Sequence, residues 1–171
     1  MSGESSGLVA AVDAECEACR HLRACFQDLT AAIVAGRGAA LAAAVARQEN
    51  AALVWREHAA VRVAAAAALA SALGAPGASV PELGRALDGR GDAVSAACLT
   101  SAWGRLFALR DPLRADVQRT RVLLRQALAF TAFALDRLRL LAGDGALPAV
   151  GYTSSGMAPV PRLPRVMDRR G

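Results

Sequence analysis

The segment from Asp111 to Gly143 is predicted to be a long helix that is apolar on too many sides for one partner helix to cover. One seam repeats at alternating steps of four and three, the spacing of a coiled-coil edge: Leu124, Leu128, Thr131, Leu135, Leu138 and Ala142. Other large apolar residues lie beside this seam (Leu123, Phe130, Leu141) or opposite it (Val122, Phe133, Leu140). Such a helix needs several helices of its own chain around it, or another protein.

Composition favours an all-α fold. The chain has 171 residues, which is enough for one domain with its own core. Alanine dominates the apolar residues, and alanine both favours helix and lets helices approach closely. No window alternates apolar and polar residues as a half-buried strand does. We therefore expect an almost purely helical protein whose core depends on scattered Leu, Val, Phe and Trp side chains.

Two helices before the long one are predicted to form an antiparallel hairpin over residues 8–74. The first has a seam at steps of four and three, made of Val12, Cys16, Cys19, Leu22, Phe26, Leu29 and Ile33. Gly36-Arg-Gly38 predicts a tight reversal, because two glycines so close allow backbone conformations that other residues avoid. Gly74, followed by Pro76, predicts the end of the second helix.

A connector and a long helical segment complete the predicted domain, which spans residues 1–145. Residues 75–92 are rich in glycine and proline, and Ser79 with Glu82 predicts a capping box at the start of a short helix there. The long helical segment covers residues 93–142, with a kink or restart predicted at Asp111-Pro112. Residues 146–171 are proline-rich and basic and lack periodicity, so we expect an extended or disordered tail.

The sequence offers little that suggests catalysis or metal binding. Cys16, Cys19, His21 and Cys25 form the one candidate metal cluster, but a zinc site needs four ligands converging on one point. Two of these cysteines share the seam of one helix, so buried core thiols are the simpler interpretation. Neither His21 nor His58 has a nearby nucleophile or a carboxylate pattern that suggests a catalytic triad. We expect no enzyme activity, no cofactor and no metal.

The charge pattern argues against nucleic acid as the main partner. The formal net charge is +5, every basic residue is arginine, and the two signs are interspersed. The arginines of residues 105–125 are predicted to form a solvated helix face. The more specific alternative is that they bind an acidic partner. A weak nucleic-acid or acidic-surface binder is therefore a minor hypothesis, which predicts steep salt dependence.

Nothing in the sequence predicts export or membrane insertion. The first residues lack the positive charge and apolar run of a secretory signal. The longest apolar run, Val63 to Ala70, is far shorter than the roughly 18 residues that span a bilayer. Together with four cysteines that fit a reducing compartment, this predicts a cytoplasmic protein with no stable membrane insertion.

The aromatic residues divide into two groups. Trp55 and Trp103 each lie on an apolar helical stripe and are predicted to anchor the core. Tyr152 is the only tyrosine and follows the predicted end of the long helix, within Gly151-Tyr-Thr-Ser-Ser-Gly156. It either folds back on the bundle or serves as a docking residue for a partner.

Three segments, in this order and spacing, make the chain resemble the FlgN-type flagellar export chaperones over about residues 8–157. The hairpin resembles the family's N-terminal helical pair in Leu29-Thr-Ala-Ala-Ile33, Gly36-Arg-Gly-Ala-Ala-Leu41, Arg47-Gln-Glu49 and Leu69-Ala-Ser-Ala-Leu-Gly74. The segment Val117 to Leu128 resembles its C-terminal helix, and Tyr152-Thr-Ser-Ser-Gly156 is similar to the Tyr…Gly box that follows that helix in many members.

This resemblance implies a cytoplasmic chaperone of the flagellar type III export system. Such proteins bind the helical termini of hook-associated (hook–filament junction) proteins, prevent premature assembly and deliver them to the export gate. A client's amphipathic helix would lie on an apolar helix of the chaperone. The predicted client-binding residues are Leu123, Phe130, Phe133, Leu140 and Leu141. By the same resemblance, Tyr152 would dock the export gate.

Two further expectations complete the sequence-based picture. The hairpin itself is expected to cover the seam from Leu124 to Leu138, which would leave mainly the flank of Phe130 free for a client. The alternative function is a self-associating helical structural or adaptor protein, which would pair its long helices through the same apolar surplus. The sequence leaves open whether the chain is a monomer or a homodimer.

Overall fold

The computed structural model describes residues 3–141, and every element in that range is a helix, which confirms the all-α fold class. The elements are α1 (Gly3–Ala35), α2 (Gly38–Ala72), α3 (Val80–Gly89) and α4 (Ala93–Leu141). Helix α1 begins before residue 8, where the hairpin was predicted to start, and α4 runs through Pro112 as one helix. The predicted tail, 146–171, lies outside the described residues.

The chain divides into two compact units, Met1–Ala132 and Phe133–Gly171. The border falls inside the sequence of α4. The first unit holds the hairpin, α3 and most of α4. Of the second unit, only Phe133 to Leu141 is described, as the last turns of α4.

Two glycines end the hairpin helices as predicted. Gly36 adopts φ +64°, a left-handed conformation that permits the two-residue reversal between α1 and α2. Gly74 adopts φ +66° after α2, and the next residue, Ala75, donates its N–H to the Ala70 carbonyl at 2.9 Å. This hydrogen bond satisfies a carbonyl of the last helical turn, as expected for a glycine just past a helix end.

Side chains cap the two later helices. Glu82 Oε2 accepts hydrogen bonds from the backbone N–H and the hydroxyl of Ser79, each at 2.7 Å, which is the predicted capping box. These hydrogen bonds hold the pKa of the Glu82 carboxyl below its usual range. Asp92 Oδ1 accepts from the Ser95 N–H at 3.1 Å, which fixes the start of α4.

Helix α1 runs antiparallel to α2 and parallel to α4 within the first unit. Four polar contacts between α1 and α4 advance together along both helices, which shows the parallel direction: Ser5–Ser95 at 3.2 Å, Asp13–Arg105 at 2.6 Å, Arg23–Asp116 at 3.0 Å and Thr30–Thr120 at 3.0 Å. Ser5, Ser95 and Thr120 are buried, so the Ser5–Ser95 and Thr30–Thr120 contacts lie inside the helix–helix interface.

The first unit has a four-helix core at one end and a three-helix core further along. The four-helix core is built from all four elements: Leu8, Val12, Cys16, Leu69, Ala70, Val80, Leu83, Leu87, Ala96, Leu99, Ala102 and Leu106. The three-helix core consists of Leu22, Cys25 and Ala51, with Phe26, Ala52, Trp55 and Leu113 packed against it. Helix α3 therefore acts as a fourth helix over only part of the bundle.

A buried ion pair joins α1 and α2 between these two cores. The Glu15 carboxylate is only 4% exposed and accepts a hydrogen bond from Arg62 Nε at 2.5 Å. The Arg62 guanidinium also lies 5.6 Å from the centroid of the Trp103 ring on α4. One arginine thus contacts two other helices.

Candidate helix-binding surface

Helix α4 continues beyond the end of the hairpin in the first unit. Thr30 of α1 lies opposite Thr120 of α4, and the two helices run parallel. Since both rise by about 1.5 Å per residue, the last residue of α1, Ala35, lies level with Arg125. Past that level, Leu128 and Phe130 of the first unit are 69% and 72% exposed.

The expectation that the hairpin covers the seam from Leu124 to Leu138 is therefore wrong at Leu128. Leu124 is half-buried, whereas Leu128 is 69% exposed. In the first unit the physical reason is helix length, because α1 ends level with Arg125 and leaves Leu128 without a neighbour from α1. The uncovered apolar surface is wider than the sequence predicts.

The five predicted client-binding residues do not share one environment. Phe130 in the first unit is 72% exposed, and Phe133, Leu140 and Leu141 in the second unit are 59%, 73% and 84% exposed. Leu123 is half-buried, at the level where α1 still accompanies α4. Leu123 therefore differs in exposure from the other four predicted residues.

The described part of the second unit presents apolar side chains around most of the helix. Phe133, Leu135, Leu138, Leu140 and Leu141 are all exposed. The Arg137 guanidinium lies 5.4 Å from the Phe133 ring centroid, and Arg139 pairs with Asp136 at 3.7 Å. These are contacts along one helix, and they leave the leucines in water. A concentration of exposed apolar side chains is typical of interaction surfaces.

The cysteines are core residues with one exception. Cys16, Cys19 and Cys25 are buried, as the seam pattern predicts for the first two, and Cys98 is exposed. Burial raises the pKa of all three buried thiols above the ordinary value. His21 Nε2 lies 3.9 Å from Cys25 Sγ, and among residues 3–141 no three His, Cys, Asp or Glu side chains are grouped to hold a metal ion.

We expect one fast and three slow thiols when the native protein reacts with an aromatic disulfide reagent. Cys98 should react first because it is exposed, while the others are buried and their raised pKa lowers the fraction of reactive thiolate at neutral pH. The measurement is the time course of released chromophore. Cys98→Ser should remove only the fast phase, and a fast phase that survives this change would contradict the burial of the other three.

The sequence predicts the exposure of the arginines between residues 105 and 125 better than the burial of the two tryptophans. The arginines of residues 105–125 are exposed, as predicted for a solvated face: Arg105, Arg110, Arg114, Arg119, Arg121 and Arg125. Trp55 and Trp103 pack against the three-helix and four-helix cores, but each is only half-buried. Their outer faces line a groove rather than the interior.

Two sequence-based expectations remain, the role of Tyr152 and the lack of a membrane-spanning helix. Tyr152, the predicted gate-docking residue, lies outside the described residues, so its role stays a prediction. Within residues 3–141, no helix is both long enough and apolar enough to cross a bilayer.

Comparison with protein-family models, with curated proteins and with solved structures finds no match for this chain.

Proposed function

We propose that this protein is a cytoplasmic flagellar export chaperone that binds the helical termini of hook-associated proteins and delivers them to the type III export gate. The observation that carries the proposal is the exposure of large apolar side chains near the end of α4. Two of them, Leu128 and Phe130, lie in the first unit, and five lie in the second: Phe133, Leu135, Leu138, Leu140 and Leu141. The resemblance in order and spacing to FlgN-type chaperones supports the same function.

The physical basis of client binding is burial of these side chains against an amphipathic helix. A leucine or phenylalanine that moves from water into a well-packed interface contributes about 1.5–3 kcal/mol, before the costs of association and of ordering side chains are subtracted. A client helix that covers several of them would be held tightly and would also be unable to pair with its assembly partners. No catalytic group is needed for this function.

The proposal is tested by placing charge on the client surface. Phe130→Asp with Phe133→Asp should weaken binding of a synthetic C-terminal helix from a hook-associated protein by about 100-fold or more, because two buried rings each contribute about 1.5–3 kcal/mol. Binding is measured by titration calorimetry, and the far-UV circular dichroism signal should keep its helical intensity because both residues are exposed.

The matched control places the same charges on another exposed apolar pair. Leu53 and Val61 on α2 are 54% and 56% exposed, so Leu53→Asp with Val61→Asp should leave client affinity unchanged. Tyr152→Ala should also bind the client normally and lose affinity only for the export gate. Undiminished peptide binding by the Phe130/Phe133 variant would exclude the proposed surface.

Self-association through the same residues is the competing function. It predicts a stable dimer in sedimentation velocity that the Phe130/Phe133 variant converts to monomer, with no binding of the hook-associated peptide by the unmodified protein. A complex between the peptide and the unmodified protein would support the chaperone function over self-association.

A further inference from the structure

A groove runs along the first unit between α2 and α4, and α1 forms its floor in the two hollows furthest from α3. It consists of three adjoining hollows of about 370, 280 and 440 Å³. Neighbouring hollows share wall residues, Arg62 and Trp103 at one junction and Trp55, Arg110 and Leu113 at the other. The groove is therefore continuous along the helices.

The groove occupies the position that a fourth helix would take. At one end α3 fills this position, since Val80, Leu83 and Leu87 are buried against the other three helices. The connector before α3 closes that end of the groove, because Gly77, Ala78 and Ser79 line it there. Further along, the core is built from α1, α2 and α4 alone. A helix lying in the groove would extend the four-helix packing from α3 onwards.

The walls of the groove are apolar and aromatic. Both tryptophans of the chain line it, together with Phe26, Leu106, Phe107 and Leu113. Phe107 is 59% exposed, although a ring of that size normally packs away from water. Half-buried aromatic rings facing an unfilled helix position are the anchor sites expected of a helix-in-groove interaction.

The arginines that line the groove favour an acidic occupant. Arg56 lines it from α2, and Arg110 and Arg114 line it from α4. None of these three arginines forms an ion pair within residues 3–141. The one acidic residue that lines the groove is Glu15, which is already paired with Arg62. An occupant with Asp or Glu beside its apolar stripe would place those carboxylates near guanidinium groups that form no ion pair within residues 3–141.

The chain's own segments are a poor match for this charge pattern. The sequence after Gly145 is rich in proline, which disfavours a helix. It also carries Arg162, Arg165, Arg169 and Arg170, whose charge has the same sign as the arginines that line the groove. The end of α4 in a second copy would bring Arg137 and Arg139. We therefore propose that the groove between α2 and α4 is a docking site for an acidic amphipathic helix of a different protein.

The groove also sets the length of that helix. It is lined on α2 from Gln48 to Ala70, which corresponds to about 33 Å at 1.5 Å per residue. The occupant is thus a helix of about 20 residues, with apolar side chains at steps of three and four and acidic residues on both flanks. This inference does not depend on the proposed export function, because it uses none of the residues near the end of α4.

Tryptophan fluorescence of the full-length chain tests the proposal directly, since both tryptophans line the groove. The probe is a designed 21-residue amphipathic peptide without tryptophan, with leucines on one face and glutamates on the flanks. It should shift the emission to shorter wavelength as the rings lose water. The same peptide with lysine in place of every glutamate should bind at least tenfold more weakly.

Two pairs of variants locate the binding. Ala59→Arg fills the groove wall and should abolish the shift, whereas Ala60→Arg, on the exposed next position of α2, should not change it. Arg110→Glu with Arg114→Glu should weaken binding of the glutamate peptide at least tenfold. Arg119→Glu with Arg121→Glu makes the same charge change at exposed sites outside the groove and should have little effect.

Several results would overturn the proposal. Equal binding of the lysine and glutamate peptides would exclude charge selection, and binding that survives Ala59→Arg would place the peptide elsewhere. A blue shift that grows with protein concentration alone would assign the groove to a second copy of the chain. The tail would be the occupant of the groove if the free, dilute protein already showed the emission of the peptide-bound state. In that case, deletion of residues 146–171 would shift the emission to longer wavelength.

Discussion

Replacing Arg62 with alanine is expected to destabilise the first unit by about 3–5 kcal/mol, the usual cost of removing one partner from a buried ion pair. Arg62 Nε donates to Glu15 at 2.5 Å, and the Glu15 side chain is almost fully buried between helices. Without the guanidinium, that carboxylate keeps its burial but loses its countercharge. The contact with the Trp103 ring, at 5.6 Å, is lost as well. Urea unfolding followed by circular dichroism measures the change.

A second ion pair between helices provides the control. Arg105 donates to Asp13 at 2.6 Å, yet the two side chains are 46% and 49% exposed, so water screens their attraction. Arg105→Ala should therefore leave the unfolding midpoint almost unchanged. A further variant with Glu15→Met and Arg62→Met should recover much of the loss, because it removes both charges and keeps the volume. Equal destabilisation by the two single arginine changes would contradict the different burial of these pairs.

The sequence predicts the helix boundaries of this fold well because local chemistry determines them. Gly36 and Gly74 supply the left-handed conformations that end α1 and α2. Ser79 and Glu82 form their capping box within four residues of chain. Each of these signals acts between near neighbours, so none depends on how the helices later pack. At Asp111-Pro112 the sequence predicts a kink or restart within one long helical segment, and α4 continues through Pro112 as one helix.

The relative positions of the helices could not be predicted in the same way. An alanine-rich helix offers several apolar seams, and the sequence does not show which one meets which neighbour. The parallel register of α1 and α4 is marked by contacts such as Ser5–Ser95 and Thr30–Thr120, between residues 90 positions apart. Without that register, the level at which α1 ends beside α4 is unknown, and the coverage of Leu128 was predicted wrongly for this reason.

The groove was missed for a related reason. Trp55 and Trp103 lie on apolar stripes, and such a stripe predicts a core position when enough helices surround it. The number of surrounding helices depends on how far α3 extends along the bundle, which is a property of the packed structure. The exposed positions of Arg110 and Arg114 do follow from the sequence. Their placement on the wall of an aromatic groove requires the three-dimensional arrangement.

Leu83→Ala tests whether α3 is an integral fourth helix or a weakly attached one, and it is expected to cost about 2–5 kcal/mol in the free energy of unfolding. Leu83 is fully buried in the same core as Leu99 of α4, so removing either side chain leaves a cavity among four helices. If α3 unfolds together with the bundle, Leu83→Ala and Leu99→Ala should shift the urea midpoint by similar amounts. Leu53→Ala, at an exposed position on α2, should change stability by no more than about 0.5 kcal/mol. If Leu83→Ala lowered the free energy of unfolding as little as Leu53→Ala does, α3 would detach before the bundle unfolds. A helix in the groove would then have no stable fourth helix to continue.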